Sequence, residues 1–462
     1  MLTAHLEEAG WSPRALAREI NRLFGPGTVS DTAPYYWRDS GGVPHPPLPS
    51  LAAHVLSRRL GRAVDVDDLW QGAALDSSAV VPATSGMDLP WSVDSTVRVA
   101  QDWLMAGLVD RRVFLAVSGG ALARAVCGYL ASDVSLGQLG ADRHDCDSAL
   151  IAQIEQSIPL LQQLDDAKGG AANLRYVGAQ VRAVSLVLAE GGHHVATTRR
   201  LLVALADLAQ LAGWMAHDAE QHGLAQRYLF TALRAAHDCG YAAMAGHVLA
   251  DLSVQATSLG QAGDAVMLGE AGARAAGRST PSVRASIGSR LAHAYAGAGR
   301  ASEFDRARGE ALDLLDRREP HRDPPWMYYL TPNHLDCQAG YSLVLMGRRE
   351  REVGDARRGN GFVGDGQRLL RTGAHDWHLS HPSQRRALYE GSWLALGCAT
   401  RGQLDEACEI GRTAVARLER VRSPRSVRVL RALGADLNRR TRNQAVADFL
   451  PELREALARQ AA

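Results

Sequence analysis

A chain of 462 residues is longer than one compact core normally holds, so two or three domains are expected. Charged residues make up 22% of it and the formal net charge is +1, which excludes a disordered polyelectrolyte and a strongly basic protein that coats nucleic acid. Ala and Leu abound while aromatics stay at 6%, a balance that favours helix over strand. Lys168 is the sole lysine, a skew that reflects GC-rich coding more than physical need, although Arg suits bidentate contacts to carboxylate or phosphate. The six cysteines form no CxxC pair, which disfavours zinc ribbons and thioredoxin-like sites; they read as buried fillers in a reducing cytosol. No basic-then-apolar leader opens the chain and no run of about eighteen apolar residues occurs, so a cytoplasmic protein without membrane contact is expected.

The first seventy residues read as five short helices. Leu2 to Glu8 forms the first, ended by Gly10. Ser12-Pro13 opens the second, with Ser as cap and Pro at the first helical position, and Leu16, Ile20 and Leu23 share one face. Gly25-Pro26-Gly27 breaks it. A third spans Thr32 to Arg38 and stops at Ser40-Gly41-Gly42; Ser50 caps a fourth after a proline-rich connection, and a fifth turn ends at Leu69-Trp70. This order resembles a phage-repressor (Cro-like) helix-turn-helix domain. The resemblance implies a DNA-reading surface on Ser30, Asp31, Thr32, Tyr35, Tyr36 and Arg38, with Arg14, Arg18, Arg58 and Arg59 as phosphate contacts. Against it, residues 1–75 carry seven Arg and eight acids, although phosphate binding normally draws on a basic footprint. DNA contact and docking on a protein both stay open for this unit.

Residues 71–94 lack periodicity and read as a linker, and 95–200 read as helical throughout, a connecting domain. The run AVSGG faintly suggests a nucleophile elbow at Ser118, but Ala116 replaces the required Gly and no strand precedes it; close helix packing is the expectation. The segment LDDAKGGAANLRYV, followed by LAGWMAHDAEQHGLAQRYLFTALRAA, is similar to a family of actinomycete regulators that join a Cro-like domain to tetratricopeptide-like repeats (the NsdA-like type). That resemblance implies a role in transcription, within control of sporulation and antibiotic production, with an effector or protein contact in the repeats.

From residue 201 to 462 the chain reads as a tetratricopeptide-like α-solenoid of five or six hairpins. Leu201 to Gly277 alone shows four helical segments, with turns at His222-Gly223, Cys239-Gly240 and Gly260 to Gly263. Trp214 fits the bulky position of such a repeat; Ala225, Ala265 and Ala407 fit its close crossing, and Gly223, Gly263, Gly299, Gly347 and Gly402 mark helix openings. Two interruptions are expected: REPHRDPPW from Arg318, and RRGNGFVGDGQ from Arg357 to Gln367 as a flexible turn. The arginine-rich run Arg417 to Arg442 reads as the solvated face of a capping helix.

The fold expected is therefore all-α: a five-helix Cro-like unit over 1–70, a linker, a helical connector and a solenoid. Stacked hairpins form a concave surface, and Trp214, His217, Tyr228, Tyr241, Tyr328, Tyr329, Asn333 and Trp377 are its candidate effector contacts. His375, Asp376, His378 and His381 cluster without the spacing zinc requires, so neither metal nor cofactor is expected. No nucleophile, base and oxyanion donors converge, and no enzyme is expected. The function expected is a homodimeric transcriptional regulator on a palindromic operator, sensing a peptide, small molecule or protein; the alternative is a repeat adaptor that binds a partner regulator and leaves DNA alone.

Overall fold

The computed structural model of the chain describes residues 2–24, 28–44, 48–60, 64, 66–70, 89–106, 117–133, 148–373 and 383–460. Among them every regular element is helical and no strand occurs. No helix is long and apolar enough to cross a membrane among these residues.

Five helices come first: α1 (Leu2–Ala9), α2 (Pro13–Phe24), α3 (Ala33–Ser40), α4 (Leu48–Leu60) and α5 (Val66–Leu69). The Ser12 hydroxyl accepts the Ala15 N–H at 3.2 Å, which satisfies a free donor at the start of α2. Leu16 and Ile20 then point into a separate small core with Leu6, Trp37, Leu51 and Leu56. Asn21 clamps the turn that follows: its amide donates to the Val29 carbonyl at 2.9 Å and accepts the Val29 N–H at 3.0 Å. The third helix starts at Ala33, within a residue of the expectation, and the Ser30 hydroxyl accepts the Ala33 N–H at its start. It runs on to Ser40, where Gly41 adopts φ 66° and ends it. The fourth begins at Leu48, so Ser50 lies inside it and is not its cap.

The connector holds α6 (Val93–Ala106), α7 (Gly119–Ala131), α8 (Ser148–Lys168) and α9 (Gly170–Glu190). Residues 107–116 and 134–147, expected to be helical, lie outside the described residues, as do 71–88 of the linker. The linker's last residues are built in. Arg234 donates to the carbonyls of Pro90 at 2.9 Å and Leu89 at 2.8 Å, with its guanidinium over Trp91. Ser118 occupies the N-cap position of α7, beside a Val117 backbone that exchanges two hydrogen bonds with the Gln226 amide.

Six hairpins follow. They are α10 (Val195–Asp218) with α11 (His222–Asp238), α12 (Ala242–Ser258) with α13 (Ala262–Ala275), and α14 (Pro281–Gly297) with α15 (Ala301–Asp316). Then come α16 (Pro332–Glu352) with α17 (Ala356–Gly373), α18 (Gln384–Arg401) with α19 (Leu404–Leu418), and α20 (Pro424–Leu437) with α21 (Gln444–Arg459). Each packs on the next. The expected boundary at residue 201 falls inside α10, and one apolar core runs from Val93 to Met346 across it. Ala225, Ala265 and Ala407 are fully buried at helix crossings, where a larger side chain would hold the helices apart. Gly240, Gly260, Gly299 and Gly402 take positive φ in turns, whereas Gly347, read as a helix opening, sits within α16.

The stretch from Arg357 to Gln367 is not a flexible turn; it belongs to α17. Its glycines serve an unusually close approach. A Cβ on Gly347 would lie 2.5 Å from the Gly359 carbonyl oxygen, and the Gly340–Gly366 pair is similarly tight. Gly361, on the far side of α17, meets nothing within 4 Å. Gly359→Ala should therefore cost about 1–3 kcal/mol through overpacking against backbone. Gly361→Ala should stabilise by about 0.5–1 kcal/mol through helix propensity. Denaturant titration of the two variants checks both signs.

Candidate functional site

The first helix of each hairpin faces inward, and the six converge on one chamber. Trp214 enters it from α10, His247 from α12, Arg290 from α14, Tyr341 from α16, Arg385 from α18 and Arg425 from α20. Helix α8 covers it with Gln162, Asp165 and Asp166, and the 3-10 turn Pro325–Tyr329 adds Trp326, Tyr328 and Tyr329. The volume open to water centres is about 120 Å³. At roughly 10–15 Å³ per water that is on the order of ten water-sized positions.

The array curls far enough for its first and last hairpins to meet. Asp218, at the end of α10, accepts the Gly170 N–H at 3.1 Å and the Ser423 hydroxyl at 2.8 Å, and lies 3.3 Å from Arg425 Nε. Roof and wall are joined by charge: Arg385 lies 3.1 Å from Asp165 and 2.8 Å from Asp166, and the Tyr328 hydroxyl donates to Asp166 at 2.7 Å. Arg290 meets Asp251 at 3.2 Å, and Arg386 meets Glu390 at 3.2 Å. Rings pack between these pairs. Arg425 lies 4.0 Å from the Tyr389 centroid and 5.0 Å from that of Trp214, and His247 lies 4.5 Å from Trp326.

Burial sets the protonation states. It pushes the Asp165 carboxyl up to about 7, with Arg385 opposing. It drives His247 and His334 well below the usual imidazole range, assisted by Arg290 and Arg386 respectively, so both rings are neutral near pH 7. Such a chamber offers fixed hydrogen-bond donors, flat aromatic faces and little bulk water, the makings of a selective small-ligand site.

Of the expected effector contacts, Trp214, Tyr328 and Tyr329 line the chamber. His217 lies behind it, buried between the rings of Trp214 and His222. Tyr228 is buried on α11 against α9, at Gly178. Tyr241 supports the wall from outside by accepting the Trp326 indole N–H at 2.7 Å. Asn333 is exposed at the start of α16 and is not among the lining residues. Trp377 and the histidine cluster at 375–381 lie outside the described residues. Among those described, no His, Cys, Asp and Glu grouping could hold a metal ion.

The arginine-rich run needs a larger correction. Arg417 and Arg425 are buried, with Arg425 in the chamber, while Arg420, Arg422 and Arg431 do face solvent. Arg290, Arg385, His247 and His334 were also missed. Their only advance signal is polarity at positions of a first helix that otherwise bury.

Thr32, just before α3, and Tyr35 and Tyr36 on it are exposed, with Trp37 turned into the core. Ser30 is exposed, its hydroxyl engaged at the helix start. Arg14 pairs with Asp31 at 3.0 Å and Arg38 with Asp39 at 2.6 Å. Arg59 donates to the Ala9 carbonyl at 3.0 Å, and Arg18 is exposed. The side chain of Arg58 lies outside the described residues.

Taken together, the described residues form an all-helical array of consecutive hairpins enclosing a polar, aromatic chamber. Residues 2–70, which hold α1–α5, match the family model of the SP15 N-terminal domain. No curated protein matches the chain.

His293, buried on α14 and 2.8 Å from the Ser342 hydroxyl, is held down to about 4 by burial. Its unfolded form takes up a proton near 6.5, so its contribution to stability is present above that pH and is lost as pH falls toward 4. By pH 5 the loss is about 2 kcal/mol. Asp165 has the opposite sign, so a comparison with His293→Gln isolates the histidine. The stability advantage of the parent chain over the variant should shrink by about 2 kcal/mol from pH 7.5 to 5, read by urea unfolding.

Proposed function

We propose that the chain is a ligand-responsive transcriptional regulator, in which tetratricopeptide-like hairpins receive an effector and a Cro-like unit over α1–α5 contacts DNA. The observation that carries the reading is the chamber: all six hairpins and α8 converge on it, whereas α1–α5 keep a core of their own. A receptor with a separate output unit has that division. The likeness of LAGWMAHDAEQHGLAQRYL to NsdA-like regulators supports it. The exposed face of α3, with Tyr35, Tyr36 and the preceding Thr32, is the surface a reading helix would need. An effector that prefers one closure of the hairpins over another would shift a homodimer between states of different affinity for a palindromic operator.

A second reading has its own support. Arg14 and Arg38 are already paired with Asp31 and Asp39, which reduces the positive field that a phosphate backbone would meet. An adaptor whose N-terminal unit docks on a partner regulator fits those pairs. Genome-wide capture of bound DNA, followed by gel shifts of the enriched sites, separates the readings. The regulator should enrich discrete palindromic sites, and Arg18→Ala should lower the salt slope of binding by about one. Absence of enrichment, together with a stoichiometric protein partner, would select the adaptor.

A further inference from the structure

We propose that the chamber is a binding site for a small aromatic carboxylate, its acid group received by Arg425 and Arg385 and its ring seated among Trp214, Trp326 and Tyr389. This rests on reading the hairpin array as a receptor, and it names the class of ligand.

Arg425 is the first ground. Its side chain is only 5% exposed, and its buried Nε makes no hydrogen bond, though it pairs by charge with Asp218. Its one carboxylate neighbour, Asp218, stands 3.3 Å from Nε and already accepts from Gly170 and Ser423. The rest of the group lies between the Tyr389 and Trp214 rings. A buried guanidinium in that state is costly unless something occupies its donors. Arg385 is the second ground: its Nη2 serves Asp165 and Asp166, but its buried Nε has no partner. One guanidinium held by a single charge pair and a second with an unused Nε leave donor capacity at this chamber for an acceptor that comes from outside the chain.

Charge decides which anion. The four arginines at the chamber face Asp165, Asp166, Asp218, Asp251 and Glu390. Set against four arginines, these acids leave no surplus of positive charge to hold a dianion such as a phosphate ester. A monoanion is tolerated, the more so because Asp165 holds a proton up to about 7. A cationic ligand would meet the arginines instead. Size and lining set the remainder: about 120 Å³ of room admits on the order of ten non-hydrogen atoms, and the flat walls favour a planar body. A carboxylate on Arg is moreover the geometry in which two parallel hydrogen bonds form.

The test is calorimetry on the full chain with benzoate, 4-hydroxyphenylacetate and indole-3-acetate, each beside its uncharged amide. At least one acid should bind tenfold or more tightly than its amide. Arg425→Gln should weaken that acid tenfold or more, and Asp165→Asn, which removes a competing carboxylate, should leave it equal or tighter. The idea is overturned if no acid binds, if an amide matches its acid, or if Asp165→Asn weakens binding as much as Arg425→Gln. Should Arg425→Gln fail to fold by circular dichroism, the acid-to-amide ratio and Asp165→Asn still decide. DNA binding measured on the same preparation keeps the two readings apart: DNA binding without acid binding sinks this inference alone, and acid binding without DNA binding sinks only the regulator.

Discussion

The whole array hangs on one buried carboxylate. Asp218 ends α10; its two oxygens accept from the backbone where α9 begins and from the hydroxyl that caps α20, and Arg425 Nε stands 3.3 Å away as a charge partner. These groups are as much as 255 residues apart between Gly170 and Arg425. A carboxyl group away from water is tolerated only when its lone pairs are used, and here the partners that use them come from both ends of the array. Closure and solvation of Asp218 are thus the same event. The backbone supports it: Gly169 and Gly170 leave room for the Arg422 and Met215 carbonyls, where a Cβ on either glycine would collide, and the Arg422 N–H donates to the Lys168 carbonyl at 2.9 Å.

Closure has a consequence for α8. Held at its end by this junction, the helix lies over the inner helices and brings Asp165 and Asp166 down onto Arg385. Its outer side is left with Leu160 exposed to 66%. The contact is polar and partly unsatisfied, unlike the alanine crossings between hairpins. Those crossings supply rigidity through dispersion and burial. The roof supplies a pH-sensitive charge, because burial brings the Asp165 carboxyl up to about 7.

Much of the scaffold was legible in the chain. The four segments from Leu201 to Gly277 are α10 to α13, and the Pro-rich run near Pro320 does interrupt the hairpins. Alanine at crossings and glycine at positive φ are local requirements, so local residues betray them. The stretch Arg357 to Gln367 deceived because its glycines suit a loop by propensity, while the reason for them lies on α16. The run Arg417 to Arg442 deceived for a related reason: charge normally faces water, and only the aromatic faces and Asp218, brought from elsewhere, let Arg425 turn inward. Asn333 sits four residues after a 3-10 turn of the chamber wall and still points away, because the helix it opens turns its inner face at Gln338 and Tyr341.

What the amino-acid sequence determined by itself was the all-helical character, the hairpin rhythm and the small N-terminal unit with Leu16 and Ile20 inside. Each depends on interactions within about one helix-turn-helix, where spacing along the chain equals spacing in space. Only the tertiary structure decided which polar side chains share the chamber. His247, Arg290, Arg385 and Arg425 lie on four different helices, and their meeting depends on how far the array curves before Asp218 closes it. Small helix-to-helix rotations add up to that curvature, and no single segment encodes the sum.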